Sequence, residues 1–365
     1  MKFTAERESF LVPLQAIIGV VERRQTMPVL ANILVAVKGN QIRLTASDLE
    51  VELSAESTIA NGDDGEITLP GRKLLDIVKA LPDKAPITVS IENDRATVRS
   101  GKSRFTLATL PAGDFPTVES LEVKQTLTLP QSELKLLLDK THFSMAQQDV
   151  RYYLNGLLFE LGDSRLRVVA TDGHRLALAE TNLTSPVGTG MQVILPRKGV
   201  LELQRVLGGE GEVTLSLGAN HMRVEVAGVR FTSKLIDGKF PDYNRVIPAE
   251  PARVVSADRL GLRTALQRAA ILSNEKYRGI RLTLKSNAVV LQAHNPEQEE
   301  AEEELEVSHS GDLMEIGFNV NYLLEALAAV DGEQVELGFV DGNSSCLIKA
   351  PGAVASRYVV MPMRL

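Results

Sequence analysis

The residues best able to do chemistry lie in one short run, Thr171-Asp172-Gly173-His174-Arg175. An aspartate two residues from a histidine can orient the imidazole as a general base. The same run can also serve as a structural turn or as a recognition site. A copy of it weakens the catalytic option. Leu44-Thr45-Ala46-Ser47-Asp48-Leu49 matches Val168-Val169-Ala170-Thr171-Asp172-Gly173 and carries no histidine. The sequence has no phosphate-cradling Gly-rich loop, no dinucleotide fingerprint, no metal-ligand spacing among His and Cys, and no Gly-x-Ser-x-Gly elbow. Cys346 is the single cysteine. It excludes an internal disulfide, suits a reducing cytoplasm, and reads as a small apolar filler rather than a nucleophile. No cofactor and no metal are expected. An enzyme on a repeated scaffold, using Asp172 and His174, stays as the alternative reading.

Charge says more once it is divided. Seven glutamates between Glu297 and Glu306 account for the whole net charge of −7. Such a block is either a solvated face or part of a strand, and seven like charges repel unless something basic answers them. Arg95, Arg99, Lys102 and Arg104 are the candidates, on strand-like sequence leading to Phe105 and Leu107. An acidic and a basic region near opposite ends of one chain suit a head-to-tail contact between copies, which closes into a ring if the rotation allows. Helical segments 71–81, 197–207 and 258–272 are each net positive, as sequence-independent contact with phosphates requires.

The elements that must position these residues repeat about 123 residues apart. Asn32-Ile33-Leu34 is answered by Asn155-Gly156-Leu157 and Arg278-Gly279-Ile280. The copies close on Phe105-Thr106-Leu107…Phe115-Pro116, Phe231-Thr232-Ser233…Phe240-Pro241 and Tyr358-Val359-Val360-Met361-Pro362. Helix cues begin near Ala5, Gly71, Gln131, Arg197, Asp258 and Val320. Apolar positions three and four apart, as in Leu134-Leu137-Leu138, Val200-Leu201-Leu203-Val206-Leu207 and Leu262-Leu266-Ala269-Ala270, predict one buried stripe per helix. Pro70, Pro130 and Pro196 stand where a missing N–H costs nothing, and Ser256 offers a cap oxygen. Strands are expected over Ile33 to Val37, Ile87 to Ile91, Val213 to Leu217 and Val335 to Phe339, with turns at Gly39-Asn40, Asn61-Gly62 and Gly162-Asp163. The unit is one helix plus a strand group, used six times, so the fold class is α+β. No apolar run approaches the roughly 18 residues of a membrane span, and the N-terminus lacks a signal-peptide pattern. A cytoplasmic, nucleoid-associated protein without a membrane partner is expected.

Several long blocks, in order, resemble the β subunits of bacterial DNA polymerase III, the replicative sliding clamps. They include Ser103-Arg104-Phe105, Phe143-Ser144-Met145-Ala146, Asp149-Val150-Arg151-Tyr152-Tyr153-Leu154-Asn155-Gly156, Phe240-Pro241-Asp242-Tyr243, Ile271-Leu272-Ser273-Asn274-Glu275-Lys276 and the ending Val359-Val360-Met361-Pro362-Met363-Arg364-Leu365. The resemblance implies a DNA clamp fold: three domains (1–124, 125–247 and 248–365), each of two helices packed on antiparallel sheets, in a ring-shaped head-to-tail homodimer threaded by duplex DNA. It implies a non-catalytic processivity subunit. The expected partners are the polymerase catalytic subunit, the clamp loader, and translesion polymerases and repair proteins bearing short linear peptides. Arg24, Arg72, Gln148, Tyr152, Tyr153, Arg197 and Lys198 are expected at the DNA, although Tyr152 and Tyr153 also read as core aromatics. Leu154, Thr171, Gly173, His174, Arg175, Leu176, Pro241, Val246, Val359, Met361, Pro362 and Met363 are expected in a peptide groove, with Asn319, Tyr322 and Arg364 at its other half. His174, Arg175 and Arg364 would bond the peptide. Phe105 and Leu107 are expected to pack on Ile271 and Leu272 of the other copy, rimmed by Arg95, Lys102 and Arg104 against Glu299, Glu300, Glu302 and Glu303. The alternative for Ile271 and Leu272 is ordinary helix-end core.

Overall fold

The computed structural model describes residues 1–21, 27–118, 121–184, 190–248 and 251–364. The repeat read from the sequence is a repeat of strand pairing. In the first copy Asn32–Lys38 lies antiparallel between Gln41–Ser47 and Gly65–Pro70. In the second, Gly156–Gly162 lies between Arg165–Thr171 and Met191–Pro196. In the third, Gly279–Lys285 lies between Ala288–His294 and Met314–Asn319. A fourth strand follows in each: Val51–Thr58, Arg175–Asn182 and Glu300–Glu306. The acidic run is therefore mostly strand rather than loop.

Among the described residues six α-helices match the six sequence cues: α1 (Arg7–Ile17), α2 (Gly71–Ala80), α3 (Gln131–Asp139), α4 (Arg197–Val206), α5 (Arg259–Ala269) and α6 (Val320–Ala329). Strands ending in Pro70, Pro130 and Pro196 run straight into α2, α3 and α4, so proline closes the ladder where the helix begins. The cap of α5 is Asp258, which accepts from the Gly261 N–H at 2.6 Å, and not Ser256, which lies inside strand Arg253–Asp258. Asn319 caps α6 through the Asn321 N–H. Cations serve the other ends. Arg7 donates to the Val78 and Lys79 carbonyls of α2, and Arg259 to the Leu327 carbonyl of α6 and to Gly332 beyond it. The expected stripes are buried at Leu134, Leu137, Leu138, Val200, Leu203, Leu207, Leu262, Leu266, Ala269 and Ala270. Leu201 and Val206 are the exceptions: Val206 is only half-buried, and Leu201, off the 3–4 spacing, is turned outward at 44% exposed. Asn61-Gly62, expected as a turn, forms a two-residue strand on Lys2–Glu6.

Packing divides the chain into two units, 1–135 with 198–235 and 136–197 with 236–365. The middle copy contributes to both. In the first unit an eight-stranded sheet forms where Val229–Lys234 pairs with Val51–Thr58, placing Phe231 opposite Leu53. In the second, Ser356–Val360 pairs with Arg175–Asn182, placing Tyr358 opposite Ala177. The same rule makes both joins: the closing strand of one copy adds to the fourth strand of the copy before it. One closing strand and one fourth strand take part in no such join and lie at sheet edges. Ser103–Ala108, the closing strand of the first copy, ends a five-stranded sheet, and Glu300–Glu306, the fourth strand of the third, ends a four-stranded one. Among the described residues no helix is long and apolar enough to cross a membrane.

Phe231 is fully buried at the first join. Its truncation, Phe231→Ala, is expected to cost about 3–5 kcal/mol, read by chemical denaturation. A loss below about 1 kcal/mol would mean that this join does not carry the stability of its sheet.

Candidate functional site

The 171–175 turn is built by backbone hydrogen bonding. Asp172 Oδ1 accepts from the His174 N–H at 2.9 Å and the Arg175 N–H at 3.0 Å, and Thr171 Oγ1 accepts from the Gly173 N–H at 3.1 Å. The first copy repeats it bond for bond. Asp48 Oδ1 accepts from the Glu50 and Val51 N–H groups, and Ser47 Oγ from the Leu49 N–H. Gly173 at φ +88° takes the left-handed conformation that Leu49 holds at φ 77°. The second carboxylate oxygen of Asp172 accepts from Arg175 Nε at 3.1 Å. Both oxygens of Asp172 are thus engaged in holding the turn, and the exposed His174 lacks a carboxylate partner from it. The Asp172–His174 general-base reading is overturned.

This turn forms one wall of an apolar trough of about 190 Å³, lined by Leu154, Thr171, Gly173, Arg175, Leu176, Pro241, Val246, Val359 and Met361. Three residues were missed by sequence reasoning: Arg151, Asp242 and Tyr243 also line it. Arg151 and Asp242 flank residues already singled out and offered no apolar signal. Tyr243 shapes the wall from below. Its hydroxyl donates to Glu160 at 2.8 Å and accepts from Arg167 at 2.9 Å, fixing the 243–246 turn that carries Val246, and burial raises its phenol above the ordinary tyrosine pKa. Arg151 is paired with Asp149, whose carboxyl its guanidinium holds down to about 2. That pair is complete above the ordinary aspartate pKa of about 3.9 and is lost only as pH falls through about 2. A larger cavity of about 550 Å³, lined by Glu160, Asp163, Arg165, Arg167 and five uncharged residues, offers less apolar surface than the trough.

The rest of the expected groove is arranged differently. Met363 and Arg364 line a neighbouring cavity of about 430 Å³ with Asn274, Tyr277, Gly279 and His294 to Pro296. The Met361 N–H donates to the His174 carbonyl at 2.8 Å and the Met363 N–H to Gly317 at 2.9 Å, with the half-buried Pro362 between. Asn319 caps α6 and donates to the Tyr277 carbonyl. Tyr322 lies beneath Arg175, whose guanidinium is 4.5 Å from the ring centroid. Arg175 is therefore a hub and not a free donor for a ligand. It pairs with Asp172 and Glu325, donates to the Phe143 carbonyl, and leaves its side chain 11% exposed.

The cations read as phosphate contacts divide sharply. Arg72 is exposed on α2, with one bond to the Val21 carbonyl. Lys198 is paired with the buried carboxylate of Asp48, and Arg197 reaches the Met145 carbonyl at 3.5 Å. Arg259 and Arg268, counted toward a positive helix face, are spent on helix-end carbonyls and on Glu303. Gln148 is exposed, as is Tyr152 at 57%, while Tyr153, edge-on to it, packs on the core beside Leu154. Arg24 lies outside the described residues.

At the sheet edges Arg95, Lys102, Arg104, Glu299, Glu300 and Glu302 are exposed, Phe105 and Leu272 are half-buried, and Leu107 is buried within its own chain. Ile271 is 75% exposed, so the helix-end-core reading fails for it. Glu303 departs from expectation. It faces inward with Ala301 and Leu305, and Arg268 grips both its oxygens at 2.7 and 2.6 Å.

Arg175→Ala is expected to cost about 2 kcal/mol of stability, because Asp172 and Glu325 lose their shared cation. Equal denaturation midpoints for variant and parent would return Arg175 to the role of a ligand donor.

Comparison with known proteins agrees with this geometry. Family models described as the N-terminal, central and C-terminal domains of the DNA polymerase III beta subunit match residues 1–119, 128–242 and 244–364. The beta sliding clamp of Pseudomonas putida is 53% identical over 367 residues, and that of Escherichia coli 48% over 370, each match covering 100% of both chains. The crystal structure of the Pseudomonas aeruginosa DNA polymerase III subunit beta superposes with a TM-score of 0.98 at 52% identity, and a sliding clamp of the same organism bound to griselimycin with 0.97 at 53%, both covering 100% of each chain. Family models over almost the whole chain and relatives about half identical along their full length place this chain in the DNA polymerase III β-subunit family, the bacterial sliding clamps.

Proposed function

We propose that two copies of this chain join head to tail into a ring around duplex DNA and tether the replicative polymerase to it. The sliding-clamp role and the absence of a catalytic function belong to the family. The dimer, the DNA contacts, the named partners and domain limits at 1–124, 125–247 and 248–365 belong to the proposal.

One observation supports the dimer: the unjoined closing strand Ser103–Ala108 and the unjoined fourth strand Glu300–Glu306 are the two halves of a join that each unit already makes once. Phe105 takes the place of Phe231 and Tyr358, which lie opposite Leu53 and Ala177. Within their sheets Leu53, Ala177 and Ala301 lie opposite Ala46, Ala170 and Ala293, so Ala301 is the third equivalent. The same register across copies sets Phe105 opposite Ala301, on the face beside Ile271 and Leu272. It sets Arg104 opposite Glu302 and Thr106 opposite Glu300 on the outer face. Leu107 falls opposite Glu299 and, already buried, contributes less than Phe105. Covering Ile271, Leu272 and Phe105 is worth roughly 3–6 kcal/mol, against about 0–1 for each rim pair. The apolar centre dominates.

Exposed Gln148 and Tyr152, with Arg72, are the DNA contacts that best fit their surroundings, and Lys198 is withdrawn from that role by Asp48. The trough suits a short Gln-Leu-aliphatic-Phe type tail, carried by the polymerase catalytic subunit, the clamp loader, or translesion and repair proteins. Met361, Val359, Leu176 and Pro241 give it an adaptable apolar lining.

Measurements on the interface and on DNA test this reading. Phe105→Cys with Ala301→Cys is expected to give a cross-linked dimer on oxidation, and Phe105→Cys with Glu302→Cys to give far less. Buried Cys346, whose thiol burial pushes up, does not compete. Ile271→Ala with Leu272→Ala is expected to give monomers at micromolar concentration; a surviving dimer split only by charge reversal would invert the ranking. Separately, protein loaded on nicked circular DNA is expected to remain until the circle is linearised, with direct binding falling steeply as salt rises and showing no sequence preference. Retention on linear DNA at high salt would point to a sequence-specific binder instead.

A further inference from the structure

Both internal joins are crossed by a cation that ends on a helix C-terminus of the neighbouring copy. At the first, Arg205 on α4 donates to the Gln15 carbonyl at 3.1 Å and the Ala16 carbonyl at 2.8 Å, in the last turn of α1. Glu202, three residues earlier, holds the guanidinium at 2.9 Å. At the second, the buried Lys140, just past α3, donates at 3.2 Å to the carbonyl of Ala329, the last residue of α6, and pairs with Asp331. A helix end leaves carbonyls without intrahelical partners, and a cation placed there is favoured.

The helices align residue for residue, so the same positions can be found at the join proposed between chains. Helices α1 and α5 both bury their fourth and eighth residues, Phe10 and Leu14 in one, Leu262 and Leu266 in the other. Gln15 and Ala16 therefore correspond to Gln267 and Arg268. Helices α2 and α4 both begin directly after a strand that ends in proline, so Asp76 and Lys79 stand where α4 has Glu202 and Arg205. Arg268 is tenth from the start of α5, as Lys140 is tenth from the start of α3, but it is engaged with Glu303 of its own copy. Lys79 is the cation left over. Both Lys79 and Asp76 are exposed, and among the described residues neither side chain has a hydrogen-bond or ion-pair partner.

We propose that Lys79 of one copy caps α5 of the other, its ammonium donating to the Gln267 and Arg268 carbonyls while Asp76 holds it in place. The inference rests on the head-to-tail dimer proposed above. Shape supports it. At the first join a Cβ on Gly19 would run into the Glu202 carboxylate and the Arg205 guanidinium. The matching position in the third copy is Ile271, which is exposed in the single chain. The larger residue on one side meets smaller ones on the other. Asp76 is a methylene shorter than Glu202, and the slim aliphatic stem of Lys79 can lie along Ile271 while its head reaches the carbonyls. Lys79 thereby leaves the positive set of segment 71–81 that reads as phosphate-facing.

The test uses the full-length protein in sedimentation over a dilution series, with DNA binding followed across salt on the same samples. Lys79→Met keeps the stem and removes the charge, and is expected to raise the dimer dissociation constant about tenfold. Lys79→Arg, which copies Arg205, should restore parental dimerisation. The salt dependence of DNA binding by the ring should not change. An unchanged dissociation constant in Lys79→Met, or a shallower salt dependence with dimerisation intact, overturns the cap and returns Lys79 to the phosphates. A loss of thermal stability that does not vary with protein concentration would place its role within one chain, and overturns the cap too. A parent protein that gives neither a dimer nor the Phe105→Cys, Ala301→Cys cross-link overturns the head-to-tail reading itself, and the cap falls with it.

Discussion

An edge strand presents a row of backbone N–H and C=O groups that must find partners, and the organisation of this protein follows from where they find them. Each copy has a fourth strand with an open outer edge and a closing strand with nowhere to go inside its own copy. The closing strands of the second and third copies solve both problems by adding to the copy before them. That exchange explains why compact units do not coincide with sequence repeats, since the middle copy is divided between two sheets. It also leaves one unsatisfied half-join in each unit, and the proposed assembly is the same exchange carried out between chains.

The apolar trough reuses a device whose first purpose is structural. The Asp172 turn is the Asp48 turn with its hydrogen bonds retained. In the first copy, the carboxylate's remaining capacity is taken by Lys198; in the second, by Arg175. Arg175 then extends outward to Glu325 and stacks on Tyr322 and Phe143, tying the turn to α6. The groove wall is rigid because the aspartate that resembled a catalytic group is fully committed to shaping it.

Much of the fold was legible because it is periodic. Helix starts, the proline junctions and the alternating strands all follow from local spacing, and the three-fold repeat follows from self-similarity. What escaped was non-local or depended on which face a side chain turns to. Ser256 and Asp258 are both capable caps, and only the path of the strand selects Asp258. Leu201 and Glu303 sit in segments whose patterns were read correctly, yet each points to the face opposite the one expected. Pairing of Lys198 with Asp48, or Arg268 with Glu303, joins residues far apart in sequence, and counting charges per helix cannot reveal it. The apolar groove residues were legible because an aliphatic and Met-rich ending has few other uses. Tyr243 and its buried bonds to Arg167 and Glu160 carry no local signature.

The outward row of Glu300, Glu302, Glu304 and Glu306 has a consequence for which partners the strand refuses. Placed beside a second copy of itself, that edge would set carboxylates against carboxylates, and Arg99 beside Arg104 on the other edge imposes the same veto with opposite sign. Symmetric edge-to-edge pairing is therefore penalised at both ends, as is capture of the edge by a stray uncharged strand. The strands at the internal joins, led by Phe231 and Tyr358, bury their centres and need no such guard, because the covalent chain chooses their neighbours for them. Two grades of seam follow: permanent ones within the chain, welded by hydrocarbon, and the proposed one between chains, addressed by charges that decide orientation more than strength.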